Sequence, residues 1–225
     1  MRRIKNMQEQ KHQSKVVVIV SFFLKNLLRN TNAFALKFIS DYLFIIVEKI
    51  IVKLPSLLLP YINYYENTVE NEINLAKITK QDTVLHIGCG PLPSTSFLVA
   101  QKTGSHVIGI DKNPYSIQDA QYCVHVLHQE NQIRIQHANA IDYSIGSSDV
   151  IIVSQGIEPR YAVLEHIANT MRSDTRVLFR TFSSKDGGIT AQDAVLSTLF
   201  TVGNIVSQPP YGILISVLLK KKTDI

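Results

Sequence analysis

A chain of 225 residues with 45% apolar and 18% charged residues can bury one sizeable core and is too apolar for a disordered protein. Its formal charge of +5 gathers partly at the ends, at Arg2, Arg3, Lys5, Lys11 and Lys15 and again at Lys220, Lys221 and Lys222. No interior stripe of basic and aromatic residues accompanies these runs, which argues against nucleic-acid binding, and two cysteines are too few for a disulfide scaffold and point to a reducing compartment, the cytoplasm.

Val16 to Leu24 is apolar and follows a basic segment, as a secretory signal would open, yet Lys25 and Arg29 come at once. The run is also shorter than the roughly 20 residues that a membrane span needs. Leu43 to Leu59 is apolar too, interrupted by Glu48, Lys49 and Lys53 and ended by Pro55 and Pro60. Two packed amphipathic helices are expected here, with a membrane-surface helix and a cleaved signal or span as the alternatives. From Tyr61 to Ile78 the apolar residues Ile62, Tyr65, Val69, Ile73 and Ala76 form a helical stripe. Glu72 lies on it, three residues after Val69 and four before Ala76, and shares that face with Tyr65. A carboxylate on an apolar face needs a partner or a shifted pKa, and both situations are enriched at active sites. Residues 1–78 therefore read as an N-terminal helical region, and residues 79–225 as a separate domain.

That domain opens with an apolar strand at Thr83–Ile87 that breaks into Gly88-Cys89-Gly90, and a helix can begin at Thr95. The glycines let the backbone approach a ligand, and the helix start offers unpaired N–H groups. About twenty residues on, His106–Asp111 is a second strand ending in a carboxylate placed to accept the two hydroxyls of a ribose. A dinucleotide fingerprint would need a third glycine where Pro93 stands, and Pro91 and Pro93 lack N–H donors that a pyrophosphate would use. A nucleoside with little or no phosphate fits better, S-adenosylmethionine being the common one. Gly88, Cys89, Gly90, Pro91, Leu92, Pro93, Thr95 and Asp111 are the expected contacts, with Cys89 serving as a small side chain in the loop.

Asn113-Pro114 starts a helix running to about His128, and Asn113 either caps it or touches the ribose. Gln132 to His137 alternates as a strand near the sheet edge does, and Asn139, Ala140 and Asp142 follow at its carboxyl end. Asn139 or Asp142 would hold an adenine amino group or form a plain turn. Asp149 to Ser154 is a central strand whose final Ser154 joins the ligand set, and Gln155 to Arg160 leaves it as a loop facing the same cleft. A helix from Tyr161 to Met171 and a fifth strand from Thr175 to Phe182, with Arg180 near its end, come next. Beyond Gly187-Gly188 and a further helix, Phe200–Ser207 and Ile213–Leu219 read as an antiparallel hairpin. The fold class is α/β: a Rossmann-like, doubly wound seven-stranded sheet with a terminal antiparallel hairpin, preceded by a helical region. No metal-ligating pattern is singled out.

The chain resembles the nicotianamine synthases, including archaeal and bacterial metallophore-synthase enzymes, within the S-adenosylmethionine-dependent methyltransferase superfamily. The likeness rests on Asn71-Glu72-Ile73-Asn74-Leu75, Gly88-Cys89-Gly90-Pro91-Leu92-Pro93-Ser94-Thr95, Glu158-Pro159-Arg160 and Arg176-Val177-Leu178-Phe179-Arg180-Thr181. It implies transfer of the 3-amino-3-carboxypropyl group of S-adenosylmethionine to a small-molecule amine or amino acid, giving a metal-chelating product. It also places Glu72 as general base for the attacking amine. Arg180 would pair with a substrate carboxylate or form a structural ion pair. Where the family carries a tyrosine after the loop helix this chain has Lys102-Thr103-Gly104, so Tyr64 or Tyr65 is the candidate replacement phenol. The rival readings are a small-molecule methyltransferase on the same fold and a non-catalytic nucleoside-binding or membrane-associated protein.

Overall fold

The computed structural model of the chain describes residues 46–184, 186–190, 193–209 and 213–222, which fall into two compact units divided between Tyr65 and Glu66. The apolar run at Val16–Leu24 and the basic residues before it lie outside the described residues. In the first unit, residues 46–52 are helical and helix α1 spans Pro55–Tyr64. Pro55 sits in its first turn, where a missing N–H costs nothing. Pro60 lies inside α1 and does not end it: the helix forgoes one backbone hydrogen bond there and still buries Leu58, Tyr61 and Ile62. Among the described residues no helix is long and apolar enough to cross a membrane.

The helix expected over Tyr61–Ile78 is broken. At Tyr65 the N–H turns back to the carbonyl of Ile62 at 3.0 Å, and a new helix, α2, spans Glu66–Ala76 with Glu66 favourably placed in its first turn. Because the apolar spacing continues across the junction, it gave no sign of the break. Helix α2 belongs to the second of the two compact units. There the Arg176 guanidinium accepts the role of C-terminal cap, donating to the carbonyls of Ala76 (2.8 Å) and Lys77 (3.0 Å) and pairing with Asp82.

The second unit is built on strands β1 (Thr83–Ile87), β2 (His106–Asp111), β3 (Ile133–His137), β4 (Val150–Val153), β5 (Arg176–Phe182), β6 (Phe200–Ser207) and β7 (Leu214–Lys221). They form one seven-stranded sheet in the order β3-β2-β1-β4-β5-β7-β6. The first five are parallel, and β7 pairs antiparallel with both β5 and β6. Helices α3 (Ser94–Thr103), α4 (Pro114–Val126), α5 (Arg160–Thr170) and the short α6 (Leu196–Leu199) complete it.

Burial follows strand position. Every residue of β4, in the middle, is buried, whereas β3 at the edge alternates, as its sequence pattern required. Leu85, Ile87, Val153, Phe179 and Ile215 share one core with Leu164 and Ile167 of α5. Each such side chain contributes about 1.5–3 kcal/mol by leaving water. Gly109 in β2 is buried under the loop: a Cβ there would lie 2.8 Å from Ile135 Cδ1 and 3.1 Å from Cys89 Cβ. Gly109→Val is therefore expected to destabilise the protein by about 1–3 kcal/mol, read from the urea midpoint, because Cys89 is held by backbone and has little room to retreat.

Candidate active site

The carboxyl ends of the parallel strands present the site, and the β1–α3 loop forms its floor. Gly88 and Gly90 take left-handed backbone conformations (φ 78° and 67°), and a Cβ on Gly88 would fall 2.3 Å from Ile157 Cδ1. The N–H groups of Gly88 and Cys89 both donate to the carbonyl of Ile110, at 2.8 and 3.1 Å, folding the loop onto the end of β2. Asp111 braces it from there. Its Oδ2 accepts the N–H of Gly90 (3.0 Å) and its Oδ1 the N–H of Asn113 (2.9 Å). Each oxygen carries a second lone pair, so the carboxylate keeps acceptor capacity for a diol.

The neighbouring residues make structural contacts of their own. Asn113 caps α4 through its Oδ1, which accepts the N–H of Tyr115 at 3.0 Å. Cys89 and Cys123 are buried, with the Cys123 thiol donating to the Pro91 carbonyl at 3.8 Å; Leu92 is buried and Pro93 stands at the N-cap of α3. Asn139 makes a turn, its Oδ1 accepting the N–H of Ile141 at 3.4 Å, while Ala140 is buried in the core and the N–H of Asp142 reaches the Asn139 carbonyl. The Arg160 guanidinium bonds Asp193 at 3.1 Å and the Gln155 carbonyl at 3.0 Å and lies 5.4 Å over the Phe179 ring, anchoring the loop that leaves β4.

Glu72 is on the buried face of α2 with Val69 and Ala76, as its spacing required, and is fully buried. Arg180 of β5 grips it with two hydrogen bonds, Nε to Oε1 at 2.7 Å and Nη2 to Oε2 at 2.6 Å. The same Nη2 donates to Thr95 Oγ1 at 2.9 Å, so the ion pair touches the first turn of α3. Ser216, directly opposite Arg180 across the β5–β7 ladder, donates to Glu72 Oε1 at 2.6 Å. Behind it Gln208 Nε2 donates to Ser216 Oγ at 2.7 Å, and Asn71 donates to Gln208 Oε1 at 3.5 Å. The ion pair is one of the two roles that the sequence left open for Arg180.

The structure thus joins Glu72, Thr95 and Arg180 on one side and the glycine loop, Asp111 and Asn113 on the other. Tyr65 belongs to the first unit, where its hydroxyl lies 3.1 Å from that of Tyr61 and its ring is edge-on to Tyr61 and Tyr64. Burial, reinforced by Tyr65 and Glu48, raises the Tyr61 phenol well above its ordinary pKa. Lys102, standing where the resembling family has a tyrosine, pairs with Glu66 at 2.7 Å, and Gly104 ends α3 in the left-handed region.

Sequence reasoning missed His86. Its ring is buried in β1 between two hydroxyls, Nδ1 2.9 Å from Ser96 Oγ of α3 and Nε2 2.9 Å from Ser154 Oγ at the end of β4. Burial, with the nearby Arg180 charge, lowers its pKa from 6.5 to about 3. The imidazole is therefore neutral at physiological pH, and one serine donates to it while the other accepts. A histidine inside the run Thr-Val-Leu-His-Ile was the signal available, as was Ser216 inside Leu-Ile-Ser-Val-Leu. Among the described residues, no group of three or more His, Cys, Asp or Glu side chains is placed to hold a metal ion.

A sheet of this order, with a glycine loop after its first strand and a carboxylate ending its second, is the Rossmann-like fold of the S-adenosylmethionine-dependent methyltransferases. Within that fold, a crystallised Glu-to-Gln variant of MtNAS in complex with S-adenosylmethionine superposes with a TM-score of 0.71 at 19% identity, over 88% of this chain and 82% of that one. MtNAS in complex with MTA and tNA gives 0.65 at 19% identity, over 78% and 69%. No protein-family profile matches the chain. In sequence, L-histidine 2-aminobutanoyltransferase of Pseudomonas aeruginosa (strain UCBPP-PA14) is 26% identical over 161 residues, 69% of this chain and 60% of that protein. The protein of the same name from Yersinia pestis is 26% identical over 120 residues, 53% of this chain and 45% of its own length. The chain thus spans about 60% of the length of the first of these relatives.

The neutral His86 has a consequence for acid stability. Its folded pKa lies below the unfolded value, so between pH 6.5 and about 3 the unfolded chain binds a proton that the folded chain does not. The contribution is whole above pH 6.5 and is lost as pH falls towards 3, on the order of 5 kcal/mol in all. His86→Asn, which cannot titrate, is expected to show a flatter fall of the urea midpoint between pH 6.5 and 4 than the wild-type protein.

Proposed function

We propose that this chain is an S-adenosylmethionine-dependent transferase that moves the 3-amino-3-carboxypropyl group to a small-molecule amine, acting in the cytoplasm. The observation that carries the reading is the Arg180 guanidinium, which contacts Glu72 and Thr95 at once and so sets a buried carboxylate beside the glycine-loop helix. The names of the relatives support it: a 2-aminobutanoyltransferase in sequence, and MtNAS bound to S-adenosylmethionine or to MTA and tNA in structure.

In this reading the donor's adenosine lies over Gly88–Pro93, Asp111 accepts its ribose hydroxyls, and Ser154 borders the cleft with its hydroxyl held by His86. Because Glu72 neutralises Arg180, the pair presents no net charge to repel a sulfonium. The acceptor nitrogen attacks the carbon of the aminocarboxypropyl chain next to sulfur. A C–N bond forms, the C–S bond breaks, and its electron pair stays on sulfur in neutral methylthioadenosine. The new ammonium passes its proton to Glu72, whose Oε2 takes one hydrogen bond from Arg180 and keeps acceptor capacity. The sulfonium activates three carbons, so placement of the amine decides which of them reacts.

Incubation with S-adenosylmethionine and a panel of amines is expected to release methylthioadenosine. Release of S-adenosylhomocysteine instead would overturn this reading in favour of a methyltransferase. Glu72→Gln is expected to lower kcat by about 10²–10⁴-fold while calorimetry shows S-adenosylmethionine binding retained.

A further inference from the structure

The two hydroxyls that flank His86 lie in different surroundings, and the difference decides where the ring carries its proton. Ser96 is fully buried, and among the described residues its Oγ has one hydrogen-bond partner, His86 Nδ1 at 2.9 Å. A buried hydroxyl proton needs an acceptor, so Ser96 donates to Nδ1. The neutral ring then holds its own proton on Nε2 and donates it to Ser154 Oγ, 2.9 Å away. Ser154 keeps its hydroxyl proton for another acceptor. In the opposite tautomer Ser154 would donate to the ring, and the Ser96 proton would be stranded in the core.

We propose that His86 is a positioning residue that holds Ser154 as a hydrogen-bond donor to the carboxylate of the aminocarboxypropyl arm of S-adenosylmethionine, an inference that rests on the transferase reading above.

Ser154 stands where that arm ends. Ile110, Ile87 and Val153 are in register across β2, β1 and β4, so the residues after them, Asp111, Gly88 and Ser154, form a row at the carboxyl ends of the strands. The Ser154 N–H donates to the Ile87 carbonyl at 3.1 Å, and its Cβ lies 3.4 Å from where a Cβ on Gly88 would stand. Its side chain thus packs on the glycine loop, and the residue is half-buried where Ser96 and His86 are closed off. Two strand spacings, about 10 Å, separate it from Asp111. With the ribose diol on Asp111, the remainder of the donor runs across Gly88 towards β4. The far end of the arm carries an ammonium, which has no lone pair, and a carboxylate, which accepts several hydrogen bonds. A hydroxyl proton is matched to the carboxylate. Because the imidazole occupies one lone pair of Ser154 Oγ, it restricts the hydroxyl's rotation and aims the proton before the ligand arrives.

Calorimetry with two ligands isolates this contact, since methylthioadenosine keeps the adenosine and the sulfur but lacks the carboxylate. Ser154→Ala is expected to raise the S-adenosylmethionine Kd by about tenfold or more and to leave the methylthioadenosine Kd within about twofold. An unchanged S-adenosylmethionine Kd, or an equal loss for both ligands, would overturn the proposal. Nitrogen NMR of the ¹⁵N-labelled wild-type protein reads the tautomer directly, with His86 assigned by the signals missing from His86→Asn. A protonated Nε2 and a bare Nδ1 are expected, and the reverse would overturn the proposal whatever the binding data. A wild-type protein that does not bind S-adenosylmethionine would defeat the transferase reading itself, and the inference with it.

Discussion

The second unit depends on one buried ion pair. Glu72 has no contact with water, and a carboxylate in that position is tolerable only where charge and hydrogen bonds replace its hydration. Arg180 supplies the charge through a bidentate grip and Ser216 a further donor. The pair fixes the rotation of α2 over the sheet, since turning the helix by one residue would leave both charges buried and unmatched, at a cost of about 3–5 kcal/mol. Through Thr95 the same guanidinium reaches the helix that follows the glycine loop. One interaction therefore sets the distance between a candidate base and a candidate ligand loop.

Around that pair, rigidity is supplied by groups of quite different character. The glycine loop is held by backbone donors aimed at Ile110 and Asp111, so its shape is stored in the β2 end as much as in its own residues. His86 does the same from below with an uncharged ring, joining β1 to α3 and β4. A charged imidazole there would face Arg180 in a dry interior, and burial keeps that state out of reach until the pH is strongly acid. Arg160 performs the equivalent task for the β4–α5 loop, with Asp193 as counter-ion and Phe179 as platform.

Much of this was legible in the residues. The strands announced themselves because parallel strands buried on both faces are nearly continuous runs of β-branched and aliphatic residues, as at Val150–Val153. Glu72 was visible because helical spacing put a carboxylate among Val69 and Ala76, and the capping by Asn113 followed from the proline after it. Other features depend on contacts across long separations, which local pattern does not encode. Glu72 finds Arg180 108 residues away and Ser216 144 residues away. The break at Tyr65 was hidden because the apolar spacing runs on unchanged through it. His86 was overlooked because periodicity weighs apolar residues, and its two serine partners lie in other elements.

The placement of β7 carries a consequence for how the molecule comes to exist. The last of the described strands inserts between β5 and β6, so the strand made before it has no seat in the sheet until β7 has arrived. Ser216 and Gln208, which complete the shell of Glu72, are delivered by the same late event. A nascent polypeptide that has not yet reached Leu214 would carry Arg180 on an open sheet edge and Glu72 without its serine. The site therefore closes only once β7 is in place, so one strand completes both the sheet core and the surroundings of Glu72.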